Sequence, residues 1–186
     1  MRKNFGAKTW LYPMPVLIIG AYNEKGEANA MNVAWGGISE ENEISVCISS
    51  GHKTTENIML KGAFTISIPD VNNVAVADYL GIVSGNNVPD KTSKAGLHSV
   101  KSEFVDAPVF SEFAMTLECR LVSYDKNTCR LVGEIVNVSA DESIIGDDGL
   151  ISLSKFSPIT FDPVHHSYVA LGEKAGNAFS DGKTIM

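Results

Sequence analysis

Two stretches of this chain gather side chains that could act on a ligand. The first is Ser49-Ser50-Gly51-His52-Lys53-Thr54-Thr55-Glu56-Asn57-Ile58, which follows a strand pattern and opens a helical one. Backbone N–H groups at a helix start have no intrahelical acceptor, and the helix dipole there favours an anion. With Ser49, His52, Lys53 and Thr54 at that point, the stretch reads as a phosphate cradle or as a polar loop closed by a threonine cap. The second is Asn29-Ala30-Met31-Asn32-Val33-Ala34-Trp35-Gly36-Gly37. On a strand, Asn29, Met31, Val33 and Trp35 would share one face, and Ala30, Asn32 and Ala34 the other. Asparagine is a poor strand former, and its amide offers a heterocycle both a donor and an acceptor. Trp35 supplies a flat apolar wall to such a ligand or packs in the core. Lys91, in the turn-rich stretch Asn87-Val88-Pro89-Asp90-Lys91, is a second cationic candidate, with a solvated surface lysine as the alternative.

Other chemistries find less support. There is no GxxxxGK[ST], no GxGxxG between a strand and a helix, and no GxSxG elbow. His165 and His166 are neighbours, and on an extended segment they would point to opposite sides, which suits chelation poorly. Cys47 and Cys119 fall on apolar-patterned strands and read as buried structural thiols. The three cysteines form no Cys-x-x-Cys, so reduced thiols in a cytoplasmic protein are expected.

The elements that must position these residues are mostly strands. Ile44 to Ser49 and Phe64 to Ile68 alternate apolar with small or polar residues. From Phe113 to Leu121 the odd positions are apolar, and Asp125-Lys126-Asn127-Thr128 turns the chain into a second strand from Arg130 to Val138, a hairpin. Val16 to Tyr22 reads as a buried strand, and Ala30 to Ile38 as its return after the Asn23–Glu27 turn. Two helices are expected: one from Thr54 or Thr55 to Leu60, stopped by Gly62, and one capped by Asp70 with Val76, Tyr79, Leu80 and Val83 on its buried face. Six or more strands in hairpin order predict a mainly β fold, a closed or nearly closed antiparallel barrel.

At 186 residues the chain is expected to be one domain, long enough to bury a core without disulfides. Hydrophobic residues make up 44% and charged residues 20%, ordinary globular values. Fifteen Lys and Arg against 22 Asp and Glu give a net charge of −7, with no basic run, which argues against a nucleic-acid partner. The most apolar segment, Pro15 to Tyr22, is far shorter than the roughly 20 residues of a spanning helix, so no membrane partner is expected.

The order of these features resembles the flavin reductase-like family, and its flavoredoxin-type members in particular. The resemblance runs through Asn29-Ala-Met-Asn-Val-Ala-Trp35, His52-Lys-Thr-Thr-Glu-Asn-Ile58, Phe64-Thr-Ile-Ser-Ile-Pro69, Asp78-Tyr-Leu-Gly81, Ser84-Gly85, Asp90-Lys91 and His166-Ser-Tyr168. It implies an antiparallel split β-barrel that binds FMN non-covalently as a homodimer, with reducing equivalents expected from NADH, NADPH or a protein donor. It places Asn29, Ala30, Met31, Asn32, Ala34 and Trp35 along the flavin ring. Ser49, His52, Lys53 and Thr54 would hold the ribityl and phosphate end, Lys91 would be a second phosphate contact, and His165 to Tyr168 would close the site. It implies an oxidoreductase; a flavin-binding carrier or sensor without catalysis is the alternative on the same barrel. The family's Pro-Pro pair before the third strand is replaced here by Glu41-Asn42-Glu43, and the arginine common in its phosphate loop by His52-Lys53.

Overall fold

A computed structural model describes residues 1–186. In chain order the elements are β1 (Met14–Pro15), β2 (Leu17–Tyr22), β3 (Ala28–Val33), β4 (Gly36–Glu40), β5 (Glu43–Cys47), α1 (Lys53–Lys61), β6 (Ala63–Ser67), α2 (Val74–Ile82), α3 (Lys91–Lys94), β7 (Ser99–Lys101), β8 (Pro108–Phe110), β9 (Met115–Asp125), β10 (Arg130–Ala140), β11 (Ile159–Asp162) and β12 (Ser167–Ala170). Seven strands form one antiparallel sheet in the order β3-β2-β6-β9-β10-β5-β4. A second sheet, β1-β11-β12, and the hairpin β7-β8 complete the β structure. No helix is long and apolar enough to cross a membrane.

The connection between β3 and β4 dictates the shape. These strands occupy opposite ends of the seven-stranded order, yet only Ala34 and Trp35 join them. Three Cα steps reach at most about 11 Å, whereas the edges of a flat seven-stranded sheet would lie about 29 Å apart. The sheet therefore curls until its edges almost meet, which gives the split barrel. This corrects the reading of Ala30 to Ile38 as one strand: the chain leaves one edge at Val33 and rejoins the other at Gly36. A side chain at Gly36 would meet Val46 Cγ1 at 2.5 Å, so the corner needs glycine.

Strand β2 explains why its sequence is apolar without alternation. Leu17, Ile19 and Ala21 enter a core inside the curl with Phe64, Ile66, Leu117, Cys119 and Leu131. Val16 and Ile18, on the other face, join an outer core with Ala30, Phe110, Phe113 and Ile159. A strand buried on both faces reads as a continuous apolar run. Helix α1 contributes Ile58 to the inner core and α2 contributes Ala77 and Leu80 to the outer one, so the two helices clamp the sheet from opposite sides. Each fully buried Ile, Leu or Phe stabilises this arrangement by roughly 1.5–3 kcal/mol.

Local signals set several boundaries. Helix α1 ends at Gly62 in the left-handed conformation (φ 66°), whose N–H returns to the Ile58 carbonyl. The expected cap at Asp70 lies further forward: Asn73 precedes α2, and Asp70 instead accepts the Asn72 N–H at 2.8 Å in a turn. The β9–β10 hairpin turns at Asp125–Thr128, with Asp125 accepting from the Asn127 N–H and the Thr128 hydroxyl. Cys119 is buried, and its thiol is pushed up to about 12 by burial, but Cys47 is exposed at the end of β5, contrary to the expectation.

Candidate functional site

Helix α1 begins with its donors free. His52, extended at φ −79° and ψ 138°, precedes it without a side-chain cap. The Glu56 N–H is the first to find a carbonyl one turn back, that of His52 at 3.2 Å, which leaves the Lys53, Thr54 and Thr55 N–H groups without an acceptor in the chain. Neither threonine hydroxyl fills the gap. Thr54 Oγ1 donates to Asn29 Oδ1 at 2.9 Å inside the protein, and Thr55 Oγ1 donates to the Ser49 carbonyl at 2.8 Å. The hydroxyls fasten the helix to β3 and to the preceding loop, and the dipole end is left open.

A polar pocket of about 250 Å³ adjoins this end, lined by Asn29, Lys53, Asn57, Gly85 and Asn86 among others. Asn57 is only 1% exposed, and its Nδ2 has no hydrogen-bond partner. A buried donor without an acceptor costs roughly 1–3 kcal/mol, so its retention beside a pocket points to an acceptor that arrives with a ligand. Lys53, four residues earlier on the same helix face, pairs with Glu56 at 2.8 Å. Glu56 is exposed, and such a pair is worth at most about 1 kcal/mol, so a dianion can outcompete it. Across the pocket, Asn86 Nδ2 donates to the Gly51 carbonyl at 3.0 Å and ties the loop after α2 to the loop before α1. A Cβ at Gly85 would lie 2.4 Å from Asn29 Nδ2; only glycine lets the loop come this close. Free N–H groups, an orphan amide and an ammonium make a donor set fit for phosphate.

Asn32, three residues beyond Asn29 on β3, turns to the other side, as a strand requires. Its Nδ2 donates to the Ala77 carbonyl at 2.9 Å and to the Tyr168 hydroxyl at 3.4 Å. Tyr168 in turn donates to Asp78 Oδ1 at 3.0 Å, and burial together with that carboxylate pushes its pKa up to about 12. The amide orientation is thereby fixed, with Oδ1 left as the available acceptor. Asn32, Ala34, Gly81, Phe161 and Tyr168 line a second cleft of about 240 Å³. Ala34 also borders a third and larger cleft, which holds Trp35. Trp35 is 55% exposed, so packing in the core is excluded as its role.

The remaining sequence candidates are distributed as follows. Ala30 is fully buried in the outer core and Met31 packs against the inner one. Ser49 and His52 are exposed on the loop before α1 and do not line the polar pocket. Lys91 is neither solvated nor in that lining. It is 2% exposed, and its Nζ donates to the Leu80 and Val83 carbonyls at 3.2 and 2.7 Å, closing the end of α2. No carboxylate pairs with it, and burial pulls its pKa down to about 8. His165 and His166 occupy the turn between β11 and β12. His165 Nδ1 lies 2.7 Å from Asp162 Oδ2, and His166, at φ 54°, stacks on Phe161. Asp162 also accepts the Tyr12 hydroxyl, and these bonds hold its carboxyl well below the usual carboxylate range. Reasoning from sequence singled out neither Asn57 nor Asn86. The spacing Lys53 to Asn57, one helical turn, was the signal for the first; Asn86 had none, because the contact is made by the fold.

Comparison with known proteins agrees with this architecture. The chain is 42% identical to a flavoredoxin of Desulfovibrio vulgaris (Miyazaki F), with a TM-score of 0.93 over 98% of this chain and 100% of that one. A flavoredoxin from Methanosarcina acetivorans is 29% identical over the full length of both chains, with a TM-score of 0.88. A 114-residue stretch is 29% identical to an uncharacterized protein of Aeropyrum pernix; it covers 60% of this chain and 43% of that relative, so the chain spans under half the relative's length. The profile of the flavin reductase like domain matches residues 9–160, taking in β3, the α1 entrance, the loop after α2 and all the strands of the curled sheet. With that profile spanning most of the chain, the protein belongs to the flavin reductase-like family.

Proposed function

We propose that this protein is an FMN-dependent oxidoreductase of the flavin reductase or flavoredoxin type. The observation that carries the reading is the polar pocket at the start of α1, where the buried Asn57 Nδ2 has no partner and Lys53 stands beside it. When bound, FMN supplies the redox chemistry, taking up reducing equivalents at its ring and passing them to an acceptor.

The residues have separable tasks. Lys53, Asn57 and the free α1 N–H groups would hold the phosphate; lysine offers a point charge there, without the bidentate fork of arginine. Asn29 cannot turn freely toward a ligand, because Thr54 holds its Oδ1 and Gly85 crowds its Nδ2. Asn32, oriented by Ala77 and Tyr168, presents an acceptor to a ring N–H. Trp35, at the corner where the sheet edges meet, offers apolar area to a flat ligand. No residue is assigned a proton-transfer role.

Reduced nicotinamide is the proposed donor and a homodimer the proposed assembly. Exposed Trp35 and Ile38 line one cleft and exposed Leu153 and Leu171 another, apolar side chains that a second copy could cover. The test is an absorbance spectrum of the purified protein before and after denaturation, with the released ligand identified by mass. Flavin bands that shift on release, a mass matching FMN, and flavin-dependent oxidation of NADH or NADPH are expected. Bound FMN without any nicotinamide oxidation would leave a carrier or sensor; absence of flavin after loading with FMN would refute the reading.

A further inference from the structure

The Asn32 cleft has a one-sided hydrogen-bonding character that no single residue explains. Its polar side chains are Asn32 on β3, Asp78 on α2 and Tyr168 on β12, set among apolar neighbours such as Val16, Ile82 and Phe161. Every hydrogen these three side chains could donate is engaged inside the protein. Asn32 Nδ2 directs one hydrogen to the Ala77 carbonyl at 2.9 Å and the other to the Tyr168 oxygen at 3.4 Å. The Tyr168 hydroxyl gives its only hydrogen to Asp78 Oδ1 at 3.0 Å. A carboxylate has none to give. Asp78 has no ion-pair partner either, so no cation competes for it. What these side chains offer a ligand is acceptors, Asn32 Oδ1 first among them.

The order of these bonds starts at Asp78. Because a carboxylate only accepts, Tyr168 must be the donor of that pair, and its oxygen then has only lone pairs to turn toward Asn32. Asn32 answers with Nδ2, which leaves Oδ1 facing the cleft. The Ala77 carbonyl, from the same turn of α2, demands the same orientation. Tyr168 is held in place by Phe161, its cross-strand partner, with ring centroids 6.2 Å apart. We propose that Asp78 is a positioning residue that sets ligand specificity: acting through Tyr168 and Asn32, it makes the cleft select a ring that presents an N–H and discriminate against one whose N–H is blocked. The isoalloxazine carries such a group in its imide N–H, so this inference deepens the function proposed above and rests on it.

The test is fluorescence titration of the flavin-free protein with FMN, riboflavin and 3-methylriboflavin, in which a methyl group replaces the imide hydrogen. Riboflavin should bind at least about 10-fold more tightly than its methyl derivative, which leaves the Asn32 acceptor unpaired. Methyl bulk alone would give the same preference, so substitutions that nearly conserve size carry the test. Tyr168→Phe frees an Asn32 hydrogen for the cleft and should reduce the preference to below about 3-fold; Asp78→Ala should do the same by freeing the Tyr168 hydroxyl. Asp78→Asn, whose Oδ1 still accepts from Tyr168, should keep the preference. In all three variants the ratio of FMN to riboflavin affinity, which reads the phosphate pocket, should stay at its wild-type value. If Asp78→Ala fails to fold, Tyr168→Phe and Asp78→Asn still decide the question. Equal binding of riboflavin and its derivative by the wild type, an unchanged preference in Tyr168→Phe, or its loss in Asp78→Asn would overturn the inference. A wild type that binds neither FMN nor riboflavin would refute the function proposed above and this inference with it, whereas flavin binding without discrimination would refute the inference alone.

Discussion

Asn57→Ala separates a ligand contact from a structural one, because the two roles predict opposite signs. In the ligand-free protein the Asn57 Nδ2 donor is buried without an acceptor, a cost of roughly 1–3 kcal/mol. Alanine removes that cost and is the better helix former by about 0.5 kcal/mol. The truncated atoms border a pocket already open, so little packing is lost. Stability without flavin should therefore stay level or rise by up to about 2 kcal/mol, a shift of up to roughly 8 °C in Tm for a chain of this size. FMN affinity should move the other way: a hydrogen bond to a charged group is worth roughly 1.5–3 kcal/mol, a loss of about 10- to 100-fold. The assay pairs thermal unfolding of the flavin-free protein with fluorescence titration of FMN and of riboflavin, which lacks the phosphate. Riboflavin affinity should barely change. A variant that loses several kcal/mol of stability while keeping its FMN affinity would show that Asn57 is part of the scaffold, and the reasoning from the orphan donor would fail.

Three further outcomes are expected. Lys53→Ala should weaken FMN by about 10- to 100-fold in moderate salt and leave riboflavin almost unchanged, whereas equal losses for both ligands would mean general damage to the pocket. Trp35→Ala should cost less than about 1 kcal/mol of stability, since the side chain is 55% exposed, yet change flavin binding; the roughly 3–5 kcal/mol of a core tryptophan, measured by urea unfolding, would contradict its placement. Lys91 binds its proton less tightly when folded, at about 8, than in the unfolded chain near 10.5. The unfolded state thus holds more protons between those values, and the contribution of this group to stability should rise with pH across that window. Lys91→Met should remove that rise when urea midpoints are compared from pH 7.5 to 10; identical slopes for variant and wild type would mean the ammonium is not desolvated.

The sequence by itself determined what depends on neighbours along the chain. The β9–β10 hairpin follows from alternation interrupted by a polar turn, and the end of α1 from a glycine free to adopt φ 66°. The anion-ready start of α1 was legible for the same reason, since unpaired N–H groups at a helix start are a property of any helix. Only the tertiary structure decided the rest. Alternation gives the faces of a strand but not its sheet edge, so a nine-residue pattern was read as one strand where the barrel seam divides it at Ala34 and Trp35. That seam exposes Trp35, and an apolar residue in an alternating pattern carries no sign of whether its face will be covered. Lys91 shows the same limit for charge: a lysine after a Pro-Asp turn looks solvated until the end of α2 offers it two carbonyls, from 11 and 8 residues earlier. Asn29 lies on β3, Asn57 on α1 and Gly85 in the loop after α2. Their meeting around one pocket is a consequence of long-range packing, which local propensity does not encode.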